Sequence, residues 1–259
     1  MKAVILCGGK GTRLREETEF RPKPLVPVGG MPILWHIMKI YAHHGIREFV
    51  LLLGYKGSMI KEYFLNYEHV HRNFTIDFAG ERSAVVHHDN KGYEDWKITF
   101  VETGEDTETG GRIKQAEPFV NGEDFCLTYG DGVADIDIRA LIDFHQKQAT
   151  ALTCTGVHPE SVFGILEVAD GKAVSFREKP RTDSIVNGGF FVCSPKLFSY
   201  LPKGKECVFE QAPLRQLVSE GQLSVFDHQG FWYCMDTYKH VEDLNKRWKE
   251  GRAPWKIWA

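Results

Sequence analysis

Three glycines, an arginine and a lysine stand close together near the N-terminus. They are Gly8, Gly9, Gly11 and Arg13 in the stretch CGGKGTRL, and Lys23 between Pro22 and Pro24. Glycine backbone reaches φ > 0 and approaches a ligand closely. Successive N–H groups in such a turn form a concavity that takes anions. Arg13 and Lys23 add fixed positive charge beside it. The set points to a polyphosphate site. It is not a P-loop, because Gly11 is followed by Thr12-Arg13 and not by Lys-Ser/Thr. Nor is it a dinucleotide fingerprint, because Leu14 stands where the third glycine belongs. A glycine pair in a strand-to-helix turn can be purely structural, but a plain turn needs neither Arg13 nor Lys23.

Two aspartates stand out further along. Asp131 lies between Gly130 and Gly132, where no neighbouring side chain hinders its carboxylate. Asp236 sits in Cys234-Met235-Asp236-Thr237, between a short strand and a helix. Aspartates are hard oxygen ligands suited to Mg²⁺, which takes one or two carboxylates plus phosphate oxygens. Asp236 also fits a helix N-cap, and Asp131 also fits a tight turn. Glu178-Lys179-Pro180 offers an acceptor for sugar hydroxyls and a cation for a sugar phosphate, or is a solvated charged turn. Asn187-Gly188-Gly189 lets a sugar approach the backbone, or is a bend. His43-His44, His69, His71 and His87-His88 form no i, i+4 pair of the zinc type and read as surface residues. No G-x-S-x-G elbow occurs.

These residues need a frame. Apolar runs at 3–6, 49–53 and 125–129 read as strands buried on both faces. Further strands are predicted at 74–78, 84–88, 96–101, 151–156, 164–168, 172–177, 190–193, 223–226 and 231–233. Apolar residues recur at helical spacing over 32–44, 58–67, 136–148, 210–220 and 237–250. Shorter helices are predicted near Ile113 and after Pro195. Strands alternating with helices imply an α/β sheet covered by helices, with ligands on the loops that follow the strands.

The 259 residues, 42% apolar and 26% charged, fit one large α/β domain or two small ones. We read residues 1–259 as one domain with a C-terminal elaboration at about 237–259. A net charge of −3 shows no basic excess for nucleic acid or an anionic membrane. Six cysteines without a C-x-x-C pair read as buried thiols in a reducing compartment. No signal peptide or membrane-spanning stretch is seen, so the cytoplasm is expected. The aromatic tail with Trp255 and Trp258 is either a subunit contact or packs on its own domain.

GGKGTRL with Pro22-Lys23-Pro24, followed in order by Gly130-Asp131-Gly132, Glu178-Lys179-Pro180, Asn187-Gly188-Gly189 and Asp236, resembles the signature of the sugar-phosphate nucleotidylyltransferases. Within that family the match is closer to the branch that uses CTP and α-D-glucose 1-phosphate. It is carried there by residues 32–39, 128–135, 188–191 and 253–256. The resemblance implies a Rossmann-like fold with a mixed, mostly parallel central sheet flanked by helices. It implies Mg²⁺ as cofactor, small-molecule partners and a homo-oligomer, and a downstream role in CDP-linked sugars for surface polysaccharide such as O-antigen. Leu6, Cys7, Gly8 and Gly9, with Thr103 and Gly104, would hold base and ribose. Lys10, Gly11, Thr12 and Arg13 would bind the triphosphate, and Lys23 would sit at the reacting phosphates. Thr109, Gly110 and Gly111 would close over the nucleoside, beside Thr128 and Gly130. Asp131 and Asp236 would bind the metal, with Arg13, Lys23 and Asp131 as catalytic residues. Tyr129, Glu178, Lys179, Asn187 and Gly188 would face the sugar phosphate. Cys7 stands where many relatives carry alanine and alters the wall near the base. UTP or dTTP would run the same chemistry. Asp135-Ile136-Asp137 resembles the D-x-D metal motif of glycosyltransferases, the rival enzyme class. A non-catalytic nucleotide-binding domain is the other rival, against which the intact charged set argues.

Overall fold

The computed structural model describes residues 1–79, 84–88, 94–161, 163–182 and 184–258. Seven strands form its central sheet: β1 (Ala3–Cys7), β2 (Glu48–Leu53), β3 (Lys97–Glu102), β4 (Phe125–Tyr129), β5 (Leu152–Val157), β6 (Val186–Cys193) and β7 (Leu223–His228). Their spatial order is β7-β5-β6-β4-β1-β2-β3. β1 is parallel to β2 and β4, β2 to β3, and β5 to β7. Only β6 runs antiparallel to its neighbours, β4 and β5. The sheet is therefore mixed and mostly parallel, as the resemblance implied.

Alternate residues of β1 feed two separate cores, because side chains switch face at every step of a strand. Ala3, Ile5 and Cys7 join one buried cluster, and Val4 and Leu6 join the other. Helices α1 (Ile33–His43), α2 (Gly57–Leu65), α4 (Ile138–Gln148) and α6 (Tyr238–Lys249) place Ile33, Ile60, Leu141 and Leu244 in the first cluster. Helices α3 (Thr109–Gln115) and α5 (Ala212–Ser219) place Ile113 and Leu217 in the second. Both faces of the sheet are thus covered, which is what an apolar strand such as β1 demands.

From β1 the chain steps outward to β2 and β3, then crosses to β4 on the other side of β1. That reversal opens a crevice beyond the carboxyl ends of β1 and β4, the place where open α/β sheets bind ligands. The glycine turn leaves β1 there, and Gly130-Asp131 leaves β4 there.

Two local expectations change, and of the two alternatives for the aromatic tail one is realised. The predicted helix 58–67 stops at Leu65, where Asn66 (φ −100°, ψ 7°) separates it from a short turn of helix at Tyr67–His71. Residues 187–189 do not introduce β6 but lie within it, opposite a register shift between Cys154 and Gly156. The aromatic tail packs on its own body. Trp255 is fully buried, stacked on Phe231 and Trp248 with ring centres 5.7 and 6.3 Å away. Its Nε1 donates to Nδ1 of His36 on α1 at 3.3 Å. The strands predicted at 74–78 with 84–88, and at 164–168 with 172–177, form two hairpins outside the central sheet. His43, His69, His71 and His88 are exposed, and His44 and His87 half-buried. Among the described residues no helix is long and apolar enough to cross a membrane.

Candidate active site at the ends of β1 and β4

The turn after β1 is shaped by what lies beneath it. Gly11 adopts φ 60°, and Thr18 Oγ1 donates to the carbonyls of Gly11 (3.1 Å) and Leu14 (2.9 Å), fastening the loop to the helical turn that follows. Pro22 is extended and Pro24 lies in the tight turn Lys23–Leu25, so Lys23 is fixed on both sides by rings. Gly130 is required by close approach, since a Cβ there would stand 2.6 Å from the Leu6 carbonyl and 3.2 Å from Pro24 Cγ. Three segments distant in sequence therefore meet with no room for a side chain between them.

Lys23 Nζ lies 2.6 Å from Asp131 Oδ2 and 2.8 Å from Asp236 Oδ1. The other oxygen of Asp236 accepts from Arg13 at 2.9 Å. Burial works to lower the Lys23 pKa, but the Asp131 charge and the bonds to both carboxylates outweigh it and hold it above its ordinary value. Burial works to raise the Asp236 pKa, and Lys23 and Arg13 together hold it below the usual carboxylate range. The two aspartates are brought together by a short antiparallel ribbon, Gly132–Ala134 against Trp232–Cys234, extended by the Met235 N–H donating to the Asp131 carbonyl at 2.9 Å. Asp236 is not the helix cap. Thr237 caps α6, accepting from the His240 N–H, and this leaves the Asp236 carboxylate to Lys23 and Arg13. Ligand atoms of Asp131, Cys234 and Asp236 all lie within 4.8 Å of one another, a set able to hold a metal ion. Burial and then the Asp131 charge push the Cys234 thiol upward, so it is no activated nucleophile.

The D-x-D motif is consumed by structure. Asp135 accepts from the Phe231 N–H at 2.7 Å and pairs with His228 at 3.0 Å, while Asp137 caps α4 through the Ala140 N–H at 3.0 Å.

Around this centre Lys10 pairs with Asp106 at 2.8 Å across the mouth of the crevice. Exposed Gly9 and Thr12 complete the turn. Cys7 packs into the core behind the turn, and burial followed by the Asp131 charge keeps its thiol protonated. Thr128 is buried at the end of β4. Thr103 Oγ1 donates to the Leu53 carbonyl at 2.6 Å, and Gly104 follows with φ 90°. Gly110 and Gly111 open α3, with no space for a Cβ against Cys207 and Gly204. On the other side, Asn187 Nδ2 lies 3.5 Å from the Tyr129 hydroxyl, and the Gly188 carbonyl accepts from Trp232 Nε1 at 2.7 Å. Glu178 and Lys179 are exposed beyond the second hairpin and pair with each other at 3.8 Å. Among the described residues no hydrogen bond or ion pair joins them to Lys23, Asp131 or Asp236.

Two residues of this region escaped sequence reasoning. Arg112 is almost wholly buried. Its guanidinium donates to the carbonyls of Gly8 (3.0 Å), Leu53 (3.1 Å), Gly104 (2.7 Å) and Glu105 (3.0 Å), and to Thr103 Oγ1 (2.5 Å). It ties the glycine turn to the loop after β3, and a Cβ at Gly8 would strike it at 2.2 Å. An arginine opening a helix beneath two glycines was the available signal. Glu210 accepts from Thr109 Oγ1 at 2.6 Å and from the Tyr129 hydroxyl at 2.5 Å, linking the two flanks of the crevice. In sequence it reads only as a helix start.

The sequence pattern described as "Nucleotidyl transferase" matches residues 2–248. A Bacillus subtilis protein named "Probable glucose-1-phosphate cytidylyltransferase" is 53% identical over 258 residues, covering all of both chains. A Salmonella typhimurium "Glucose-1-phosphate cytidylyltransferase" is 47% identical over 260 residues, again covering both chains in full. Among solved structures, HddC from Yersinia pseudotuberculosis superposes with a TM-score of 0.69 at 23% identity, covering 95% of this chain and 99% of that one. A UDP-glucose pyrophosphorylase from Acinetobacter superposes with 0.69 at 16% identity, covering 99% and 95%. The last two establish a shared fold.

Proposed function

The chain belongs to the nucleotidyl transferase family, and from that premise we propose that it transfers the cytidylyl group of CTP to α-D-glucose 1-phosphate, giving CDP-glucose and diphosphate. The two relatives of 53% and 47% identity carry the name of that activity over their whole lengths. The observation that carries the chemistry is Lys23 bridging Asp131 and Asp236 beside Arg13 at the topological switch point.

A sugar-phosphate oxygen attacks the α-phosphorus of CTP in line, and diphosphate leaves. The attacking phosphate is already ionised, so no general base is needed. Catalysis is then positioning and charge neutralisation, which suits a site with two cations, two carboxylates and no activated nucleophile. Lys23 and Arg13 neutralise charge on the transferring phosphoryl oxygens. Arg112 holds the Gly8 turn so that its backbone N–H groups face the nucleotide. Lys10, Gly11 and Thr12 follow the phosphates, and Thr109–Gly111 with Thr103 and Gly104 enclose the nucleoside. Tyr129, Asn187 and Gly188 form the sugar side, completed by Glu178 and Lys179. Asp131 and Asp236 fit Mg²⁺: they are hard oxygen donors, and the Lys23 ammonium already takes a cation's place between them. The bound ion would supply positive charge to the phosphate oxygens.

The whole chain acts as one unit with its C-terminal elaboration from residue 237, and works as a homo-oligomer feeding CDP-linked sugars into surface polysaccharide such as O-antigen. Its six free cysteines fit the reducing cytoplasm. The test is diphosphate release from CTP, UTP and dTTP, each with glucose 1-phosphate. Release only without CTP, or none with any of the three, overturns the reading.

A further inference from the structure

Cys234 is the member of the charged cluster to which the proposed reaction gives no task. It lies in the ribbon opposite Gly132, the register partner that carries no side chain. A Cβ at Gly132 would meet nothing closer than 3.9 Å. Gly132 therefore sets no side chain beside the thiol, and the Sγ lies within 4.8 Å of a carboxylate oxygen of both Asp131 and Asp236. Lys23 Nζ, 2.6 and 2.8 Å from those carboxylates, marks a position where positive charge is already stabilised.

Two carboxylates alone suit hard cations. A thiolate added to them changes the selection, because sulfur favours Zn²⁺ and its heavier congener over Mg²⁺. One sulfur and two carboxylate oxygens with a fourth position left open is a coordination that Zn²⁺ accepts, with bonds of about 2.0–2.3 Å.

We propose that Asp131, Cys234 and Asp236 form a site for a thiophilic divalent cation, Zn²⁺ or Cd²⁺, which competes with the reaction's own ion and blocks turnover. This rests on the reading of Asp131 and Asp236 as the ligands of that ion. As the sulfur–metal bond forms, the thiol proton leaves to solvent. Lys23 gives up both carboxylates. The cation is held toward Cys234, and micromolar Zn²⁺ then inhibits in the presence of millimolar Mg²⁺.

The test is optical and independent of catalysis. The purified protein is titrated with Cd²⁺ in excess Mg²⁺, and the ultraviolet thiolate-to-cadmium charge-transfer band is recorded. One equivalent per chain is expected to raise the band. Cys234→Ser is expected to abolish it, and Cys207→Ser, at the other half-buried cysteine, to keep it. Asp236→Asn is expected to keep the band while weakening Cd²⁺ binding tenfold or more. No band in the wild-type protein, a band that survives Cys234→Ser, or unaltered affinity in Asp236→Asn overturns the site. If instead the band behaves as expected and no diphosphate is released from CTP, the functional reading fails while the metal site stands.

Discussion

At the ends of β1 and β4 each functional side chain is held by partners from elsewhere in the chain. Lys23 touches two aspartates, and Arg112 five acceptors. The hairpin of Ile165–Ala169 and Lys172–Arg177 is made the other way. Leu166 faces Phe176 across the pair, and Val168 and Val174 extend the same side, yet all four are more than half exposed. The opposite side carries the pair Glu167–Arg177. Glu178 and Lys179 hang from the end of this hairpin. A two-stranded hairpin with no core of its own is marginally stable. The side of the crevice proposed to take the nucleotide is therefore set before substrate arrives, while the end bearing Glu178 and Lys179 is drawn from the weakly held part of the molecule, as segments that move on binding generally are.

Substitutions separate the two regions. The largest effect is expected from Asp131→Asn, which removes half of the carboxylate pair: kcat should fall about 10³-fold with an unchanged melting temperature. An unchanged kcat removes Asp131 from the mechanism. Arg112→Ala should destabilise the fold by roughly 3 kcal/mol, because buried carbonyls lose a charged donor, and should raise KM for CTP more than KM for glucose 1-phosphate. Equal effects on both would show that the glycine turn does not depend on it.

The tail gives a pH signature of the same built-in kind. Burial lowers the His36 pKa to about 4, against bonds to backbone carbonyls that work to raise it. The unfolded chain, with an ordinary value near 6.5, therefore binds more protons between these limits. Stability should fall as pH drops from about 6.5 toward 4, by roughly 3 kcal/mol in all. Denaturant titrations of His36→Asn should lack that part of the slope; identical slopes refute the assignment. Lys179→Ala is expected to raise KM for glucose 1-phosphate about tenfold, the worth of roughly one charged contact, with melting unaltered. The smallest effect belongs to Leu166→Ser, within about 0.5 kcal/mol for an exposed site. A clear drop in melting temperature would show that the hairpin's apolar side is covered in solution.

The frame was legible because β1, β2 and β4 are apolar on both faces and glycines mark their ends. The glycine turn, Lys23 and the two aspartates could be picked out as residue types. Their meeting could not, since Lys23 and Asp236 lie 213 positions apart and the two aspartates are joined only through a three-residue ribbon. The Asp236 carboxylate was hidden behind its own plausible role as a cap, until Thr237 took that role. Arg112 left only the faint signal of an arginine after two glycines, because its acceptors are almost all backbone carbonyls, which leave no mark on side-chain identity. Asn187-Gly188-Gly189 read as a bend or a sugar approach because glycines weaken strands in general; here β5 carries the strand on, Asn187 lying opposite Gly156.

The proposed convergence of Lys23 on the transferring phosphorus is tested most directly by single-turnover diphosphate release from CTP and glucose 1-phosphate, comparing Lys23→Ala with the unaltered protein. Circular dichroism and CTP binding are measured on the same samples. The expected result is a loss of about 10³-fold in the rate of the chemical step, with fold and CTP binding retained. A rate within a few-fold of the unaltered protein would contradict the account.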